Sequence, residues 1–222
     1  MNTETIEYKG HRIEIFLEDD VSNSDPRDMS NAGVMECFHS RYNLGDQNTE
    51  HKHKADEFGG WAEFHKHLVE EHGALEIAQL FLYDHSGLRM KIGSFMGLLP
   101  QGHAEFDSGP VGFIYATRET IEAMHGKGKL TKKKLALVRQ NLEAEVAEYD
   151  AYLAGQVYGY RVLAPKPEPC KSCGHVEDRE TEESCGGFLG WDGDKRALAE
   201  AKSQVDYIVK RATAPAAKAK KS

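Results

Sequence analysis

The chain has 222 residues, 40% hydrophobic and 29% charged, enough to bury a core, and it reads as one compact domain over 1–212. Its formal charge of −8 is uneven: residues 1–50 carry eleven acids against four Lys/Arg, and residues 201–222 one acid against six. That balance excludes general nucleic-acid binding by the head and leaves only the tail, 213–222, read as a disordered basic Ala/Lys end, to meet phosphate.

No apolar run approaches the ~18 residues of a membrane span, and Met1 to Gly10 lacks the basic-then-apolar pattern of a leader. The expectation is a soluble, cytoplasmic protein with no membrane partner, whose four cysteines stay reduced. Tyr8 to Glu18, with Ile13, Ile15 and Leu17 alternating, predicts a strand. Asp19 to Asn31 is too polar for regular structure; Val34 to Tyr42 is an apolar run that ends at the turn Asn43-Leu44-Gly45-Asp46. His51 to Ala55 reads as a solvated loop, after which Asp56 caps a helix bearing Trp61, Phe64 and Leu68 on one stripe until Gly73.

Leu75 to Tyr83 is a strand, and Asp84-His85-Ser86-Gly87 turns it into Leu88 to Phe95 as a hairpin. Val111 to Ala116 is a short strand, and Thr117 caps a brief helix through Met124. Leu135, Val138, Leu142, Val146, Tyr149 and Leu153 step by three or four residues, which predicts a long helix over Thr131 to Leu153. Tyr158 to Leu163 and Gly187 to Trp191 are strands flanking a cysteine-containing insertion at 164–186, and Asp194 caps a last helix with Leu198, Ala201, Val205 and Ile208 inward. The fold class is α+β: a mainly antiparallel sheet with about three principal helices and a zinc-clamped hairpin.

That hairpin rests on Cys170-Lys171-Ser172-Cys173-Gly174-His175 and on Cys185. Two thiols separated by two residues and followed by Gly form a turn in which both sulfurs face one cation. Cys170, Cys173 and Cys185 would need His175 or Cys37 as fourth ligand, and three soft sulfurs point to a closed, structural zinc site. The other histidine cluster, His51, His53, His65, His67 and His72, reads as solvated surface: on one helix His67 and His72 diverge by ~140°, and no zinc-protease order is present.

Asp84, His85 and Ser86 are adjacent, so they cannot relay a proton among themselves and read as turn builders. A more informative set is His39, Arg41 and Asp46 with Asp84, His85, Asp107 and Ser108. If these turn ends converge, a histidine, a cation and carboxylates would suffice for phosphate-ester or glycosidic chemistry; otherwise they brace their own loops. The helix 131–153 carries Lys132, Lys133 and Lys134 at its start and Glu143, Glu145, Glu148 and Asp150 near its end, both against the helix dipole; the default reading is a solvated charge run, and the alternative is a partner surface.

Five ordered blocks begin at Met35-Glu36-Cys37-Phe38-His39-Ser40-Arg41-Tyr42, Leu82-Tyr83-Asp84-His85-Ser86-Gly87, Asp107-Ser108-Gly109-Pro110-Val111, Glu145-Val146-Ala147-Glu148-Tyr149 and Ser184-Cys185-Gly186-Gly187. Together they resemble a family of bacteriophage and mobile-element proteins with no established activity. An aromatic ring the family often carries beside Cys185 is absent here, where Gly186 follows it. The resemblance implies a phage accessory protein inside a bacterial cell. With no complete catalytic signature, the leading expectation is a non-enzymatic factor that binds a host protein for takeover or counter-defence. The alternatives are a small hydrolase using His39, Arg41, Asp46, Asp84, His85 and Asp107, and a virion-associated structural protein.

Overall fold

A computed structural model describes residues 3–46, 53–99 and 102–213. In chain order the elements are β1 (Glu4–Tyr8), β2 (His11–Leu17), β3 (Val34–Cys37), α1 (Trp61–Glu70), β4 (Ala74–Asp84), β5 (Leu88–Ile92), α2 (His103–Phe106), β6 (Ser108–Thr117), α3 (Arg118–His125), α4 (Lys132–Leu153), β7 (Val157–Leu163), β8 (Thr181–Leu189) and α5 (Gly193–Thr213). The fold is α+β, with two four-stranded sheets, β1-β2-β7-β8 and β3-β6-β4-β5, whose strand pairs are all antiparallel. No helix among the described residues is long and apolar enough to cross a membrane.

Where the sequence reads as one domain over 1–212, the chain divides into two compact units, Met1–Ser24 with Gly155–Ser222, and Asp25–Ala154. The first unit is discontinuous, which no local composition shift reveals. Its predicted single strand from Tyr8 to Glu18 is instead the second arm of a hairpin. Lys9 and Gly10 at the turn both take positive φ, 49° and 85°, the pair of left-handed residues that a tight two-residue turn requires. Ile13 and Ile15 of β2 and Tyr160 and Val162 of β7 pack against Ala197, Ala201 and Val205 of α5. The small side chains spaced by four let that helix lie close on the sheet. Residues 164–180 connect β7 to β8 as a hairpin, and Thr181–Gly187 is exposed along its length. The last helix begins one residue before Asp194, with Lys195 N and Arg196 N both bonded to Asp192 O at 3.1 Å, so Asp194 sits in the first turn and is not the cap. Of the expected tail, residues 214–222 lie outside the described residues.

In the 25–154 unit, β6 runs between β3 and β4, and its alternation sorts the core. Ile114 faces α4, whose Val138, Leu142, Val146 and Tyr149 form the stripe read from sequence and pack on Met35, Leu80, Leu82 and Met90. Phe113 and Tyr115 point the other way, onto Phe64 and Leu68 of α1. Thr131 and Thr117 cap their helices as predicted, accepting from Lys134 N at 3.2 Å and Thr120 N at 3.3 Å.

A buried ion cluster ties the 25–46 segment to α4. Arg27, with a side chain 2% exposed, donates from Nε to Asp46 Oδ1 at 2.6 Å, from Nη1 to Glu145 Oε2 at 2.9 Å and from Nη2 to Gly33 O at 2.8 Å. The same carboxylates accept backbone N–H bonds, Asp46 from Met35 at 2.8 Å and Glu145 from Ala32 at 2.6 Å. Asp150 likewise accepts from Arg89 Nε, Arg89 Nη2 and Met90 N at 2.9, 2.8 and 2.7 Å. Glu145 and Asp150, which oppose the helix dipole on paper, therefore face inward and clamp loops and strands.

Candidate functional site

Three segments meet where β3, β4 and β6 end. The loop after β3 supplies His39 and Arg41, the end of β4 supplies Leu82 and Asp84, and the start of β6 with α2 supplies Phe106, Asp107 and Ser108; together they line a cavity of about 290 Å³. The antiparallel register places Tyr83 opposite Ser108, and Asp84 N donates to Asp107 O at 2.9 Å, which explains why residues far apart in sequence share this corner.

His39 both braces and lines. Its Nδ1 accepts from Arg41 N and Tyr42 N, each at 3.2 Å, and its ring stacks on Tyr42. Two donors into Nδ1 put the ring proton of the neutral imidazole on Nε2. Arg41 donates to Asp84 Oδ2, and Tyr42 OH donates to Asp84 Oδ1 at 3.3 Å. His85, in the tight loop with Ser86 at φ 53° and Gly87 at φ 144°, brings Nδ1 to 3.1 Å from Asp107 Oδ2. His103 lies 4.9 Å from the His85 ring, and its Nδ1 is 3.3 Å from Tyr83 OH. One ligand atom each from His85, His103 and Asp107 falls within 4.8 Å of the others, so the three could hold a metal ion.

Of the six candidate residues, His39, Arg41, Asp84 and Asp107 share the cavity and His85 bonds to its wall through Asp107. Asp46 does not join them, because Arg27 and Met35 N engage both of its oxygens. Sequence reasoning missed His103, although its spacing of four from Asp107 was a usable signal. One helical turn puts both on the same side, and Asp107 N bonds His103 O at 2.9 Å.

The cysteine turn closes on itself. Cys170 N donates to His175 O at 2.7 Å and Gly174 N to Cys170 O at 2.8 Å, with Ser172 Oγ 3.1 Å from Cys170 Sγ. The Ser172 hydroxyl first, then the backbone N–H groups of Ser172 and Cys173, pull the Cys170 thiol down to about 6. Cys185 sits on β8 opposite Tyr160; Cys170, Cys173 and Cys185 are exposed. Among the described residues, these cysteines and His175 are not one of the groups whose ligand atoms come within 4.8 Å. Cys37 is packed in the core of the other unit with Met35 and Leu44.

The histidine patch differs from its sequence reading. His51 lies outside the described residues, and His65 packs edge-on to Phe113, but His53, His67 and His72 gather so that one ring nitrogen of each lies within 4.8 Å of the others. The ~140° divergence holds only on a continuous helix, and α1 ends at Glu70 with Gly73 at φ 64°, so the chain turns His72 back toward His67. Comparison with protein-family models, curated proteins and solved structures finds no match for this chain.

Proposed function

We propose that the 25–154 unit binds and hydrolyses a small phosphate ester in the cavity at the ends of β3, β4 and β6, with a divalent cation on His85, His103 and Asp107. The observation that carries this reading is the convergence of His39, Arg41 and Asp107 on one space of about 290 Å³, with Asp107 also belonging to the group His85, His103 and Asp107 that could hold a metal ion. That volume is at the small end of ligand sites and suits a phosphomonoester or a short diester. His39 Nε2–H and Arg41 supply donors for phosphate oxygens, while Asp84 holds Arg41 in place. The cation supplies charge neutralisation and a more acidic bound water. Water attacks phosphorus and gives up a proton to solvent, the ester P–O bond breaks, and the leaving alkoxide takes a proton from solvent.

The test uses tag-free protein with Mn²⁺ and with p-nitrophenyl phosphate and bis(p-nitrophenyl) phosphate as probes. Metal-dependent nitrophenol release is expected, reduced by about 10²–10⁴ in Asp107→Asn, with KM raised about tenfold in Arg41→Ala. No release from either ester, or equal turnover in Asp107→Asn, overturns the reading.

A second reading, that of a phage-type factor binding a host protein, is favoured by the exposed apolar side chains of Met96, Leu98 and Phe106, the last of them 86% exposed. Absence of ester turnover would move this reading to the front.

For the other unit we propose the structural zinc on Cys170, Cys173, Cys185 and His175. The Ser172 hydroxyl 3.1 Å from Cys170 Sγ and the depressed thiol support ligation by Cys170, since the thiolate is the ligating form, and zinc would have to draw the other ligand atoms toward it. Hydrogen bonds donated to sulfur favour the charged form, so Cys170 alkylation by iodoacetamide, followed by peptide mass spectrometry, should be half-maximal near pH 6. Ser172→Ala should move that midpoint upward, and added zinc should protect Cys170. A midpoint unmoved by the variant would remove the stated cause; alkylation unaffected by zinc would remove the metal.

A further inference from the structure

We infer that His53, His67 and His72 form a transition-metal site, best suited to Zn²⁺, separate from the polar cavity. Three neutral imidazoles are a borderline-soft donor set, which zinc prefers over the oxygen-seeking Mg²⁺ and Ca²⁺.

The geometry is that of ligands, not of solvated surface rings. His53 Nε2 and His67 Nε2 are 3.1 Å apart, and the ring centroids of the trio are 4.8, 4.9 and 5.1 Å from one another. Two nitrogens each about 2.0–2.1 Å from a tetrahedral zinc lie about 3.3 Å apart, so a shift of a few tenths of an ångström brings the His53–His67 pair to the bound spacing, and His72, with a ring nitrogen within 4.8 Å of both, closes toward them.

The surroundings strengthen the assignment. Glu36, with a side chain 1% exposed, places Oε2 at 2.8 Å from His53 Nδ1 and accepts the Tyr115 hydroxyl on Oε1 at 2.8 Å. A carboxylate on Nδ1 holds the ring proton there and leaves the Nε2 lone pair facing the other histidines. Burial first, and then the neighbouring Glu36 carboxylate, raise the Tyr115 hydroxyl far above its usual range, so it stays a donor to Glu36. Phe58 and Phe64 flank His53 on its other edges, an apolar wall that limits water around the nitrogens. A carboxylate this deeply buried, anchored by a tyrosine and spent on orienting one imidazole, has little purpose on a solvated patch.

The alternative for the same geometry is a lone hydrogen bond in which His67 Nε2–H donates to His53 Nε2. The two are separated by long-range ¹⁵N–¹H spectra of the histidine rings in tag-free, full-length protein stripped of metal and titrated with ZnCl₂. The inference predicts that the ring nitrogens of His53, His67 and His72 shift together along one common saturation curve as zinc is added. It also predicts that His67→Ala weakens zinc binding at this site at least 100-fold, and Glu36→Gln 10–100-fold. Unmoved resonances for these three rings in the wild type would overturn it, as would unchanged zinc affinity and stoichiometry in His67→Ala. The wild-type spectra decide the matter even if a variant fails to fold.

Discussion

Arg27→Ala is expected to remove about 3–5 kcal/mol from the stability of the 25–154 unit, because it strips the cation from two buried carboxylates. Asp46 and Glu145 are 15% and 13% exposed, and the Arg27 guanidinium is their common partner while it also donates to Gly33 O. Their backbone donors at Met35 and Ala32 survive the substitution, but two like charges then face each other without a counter-ion. Arg27→Lys should recover only part of the loss, since one ammonium cannot span three acceptors on different elements. Arg41→Ala is the control: that side chain is 67% exposed, and its pairing with Asp84 is worth less than about 1 kcal/mol. Urea unfolding followed by Trp61 fluorescence in a Trp191→Phe background measures both. A loss below about 1 kcal/mol for Arg27→Ala would show that the cluster behaves as a surface pair.

Gly112→Ala should cost about 3 kcal/mol or more, through backbone overlap and not through lost flexibility. Gly112 pairs with Cys37 across β3–β6 and with Leu80 across β6–β4. A Cβ there would overlap the Glu36 carbonyl oxygen and come within 2.8 Å of Cys37 Cα, both backbone atoms that no rotamer change can move. Because the clash falls on Glu36, the variant should also weaken zinc binding at the histidine trio. Gly109→Ala, in the same strand but with nothing within 4 Å of the added carbon, should change stability by less than about 0.5 kcal/mol. Equal effects of the two alanines in thermal unfolding would rule out the overlap as the cause.

What could be read from the chain alone was whatever depends on short-range periodicity. The stripe of α4 from Leu135 to Leu153, the capping threonines Thr117 and Thr131, and the hairpin at Asp84 to Gly87 each declare themselves within one element, and the structure has them. The polar corner was half legible. Residue types at turn ends marked His39, Arg41, Asp84, His85 and Asp107, but only the strand register brings them together. Asp46 went elsewhere because a single arginine nineteen residues upstream outbid the cavity for it. The histidine trio is hidden in the sequence for a geometric reason: the helical angle between His67 and His72 does not extend past the end of α1, where Gly73 takes a positive φ. Lys9, a residue with no turn preference, concealed the first hairpin.

Strand β2 has no partner on its inner side until β7 exists, and the residues that pair, such as Phe16 with Gly159, are separated by the whole insert from 25 to 154, 130 residues. Closing a flexible loop of that length costs about 4 kcal/mol beyond a constant, a cost that a folded insert reduces by holding its chain compact. A lesion confined to the insert therefore weakens a sheet in which no atom has been changed. During synthesis, the N-terminal hairpin must wait for nearly the entire polypeptide to emerge before its sheet can be completed.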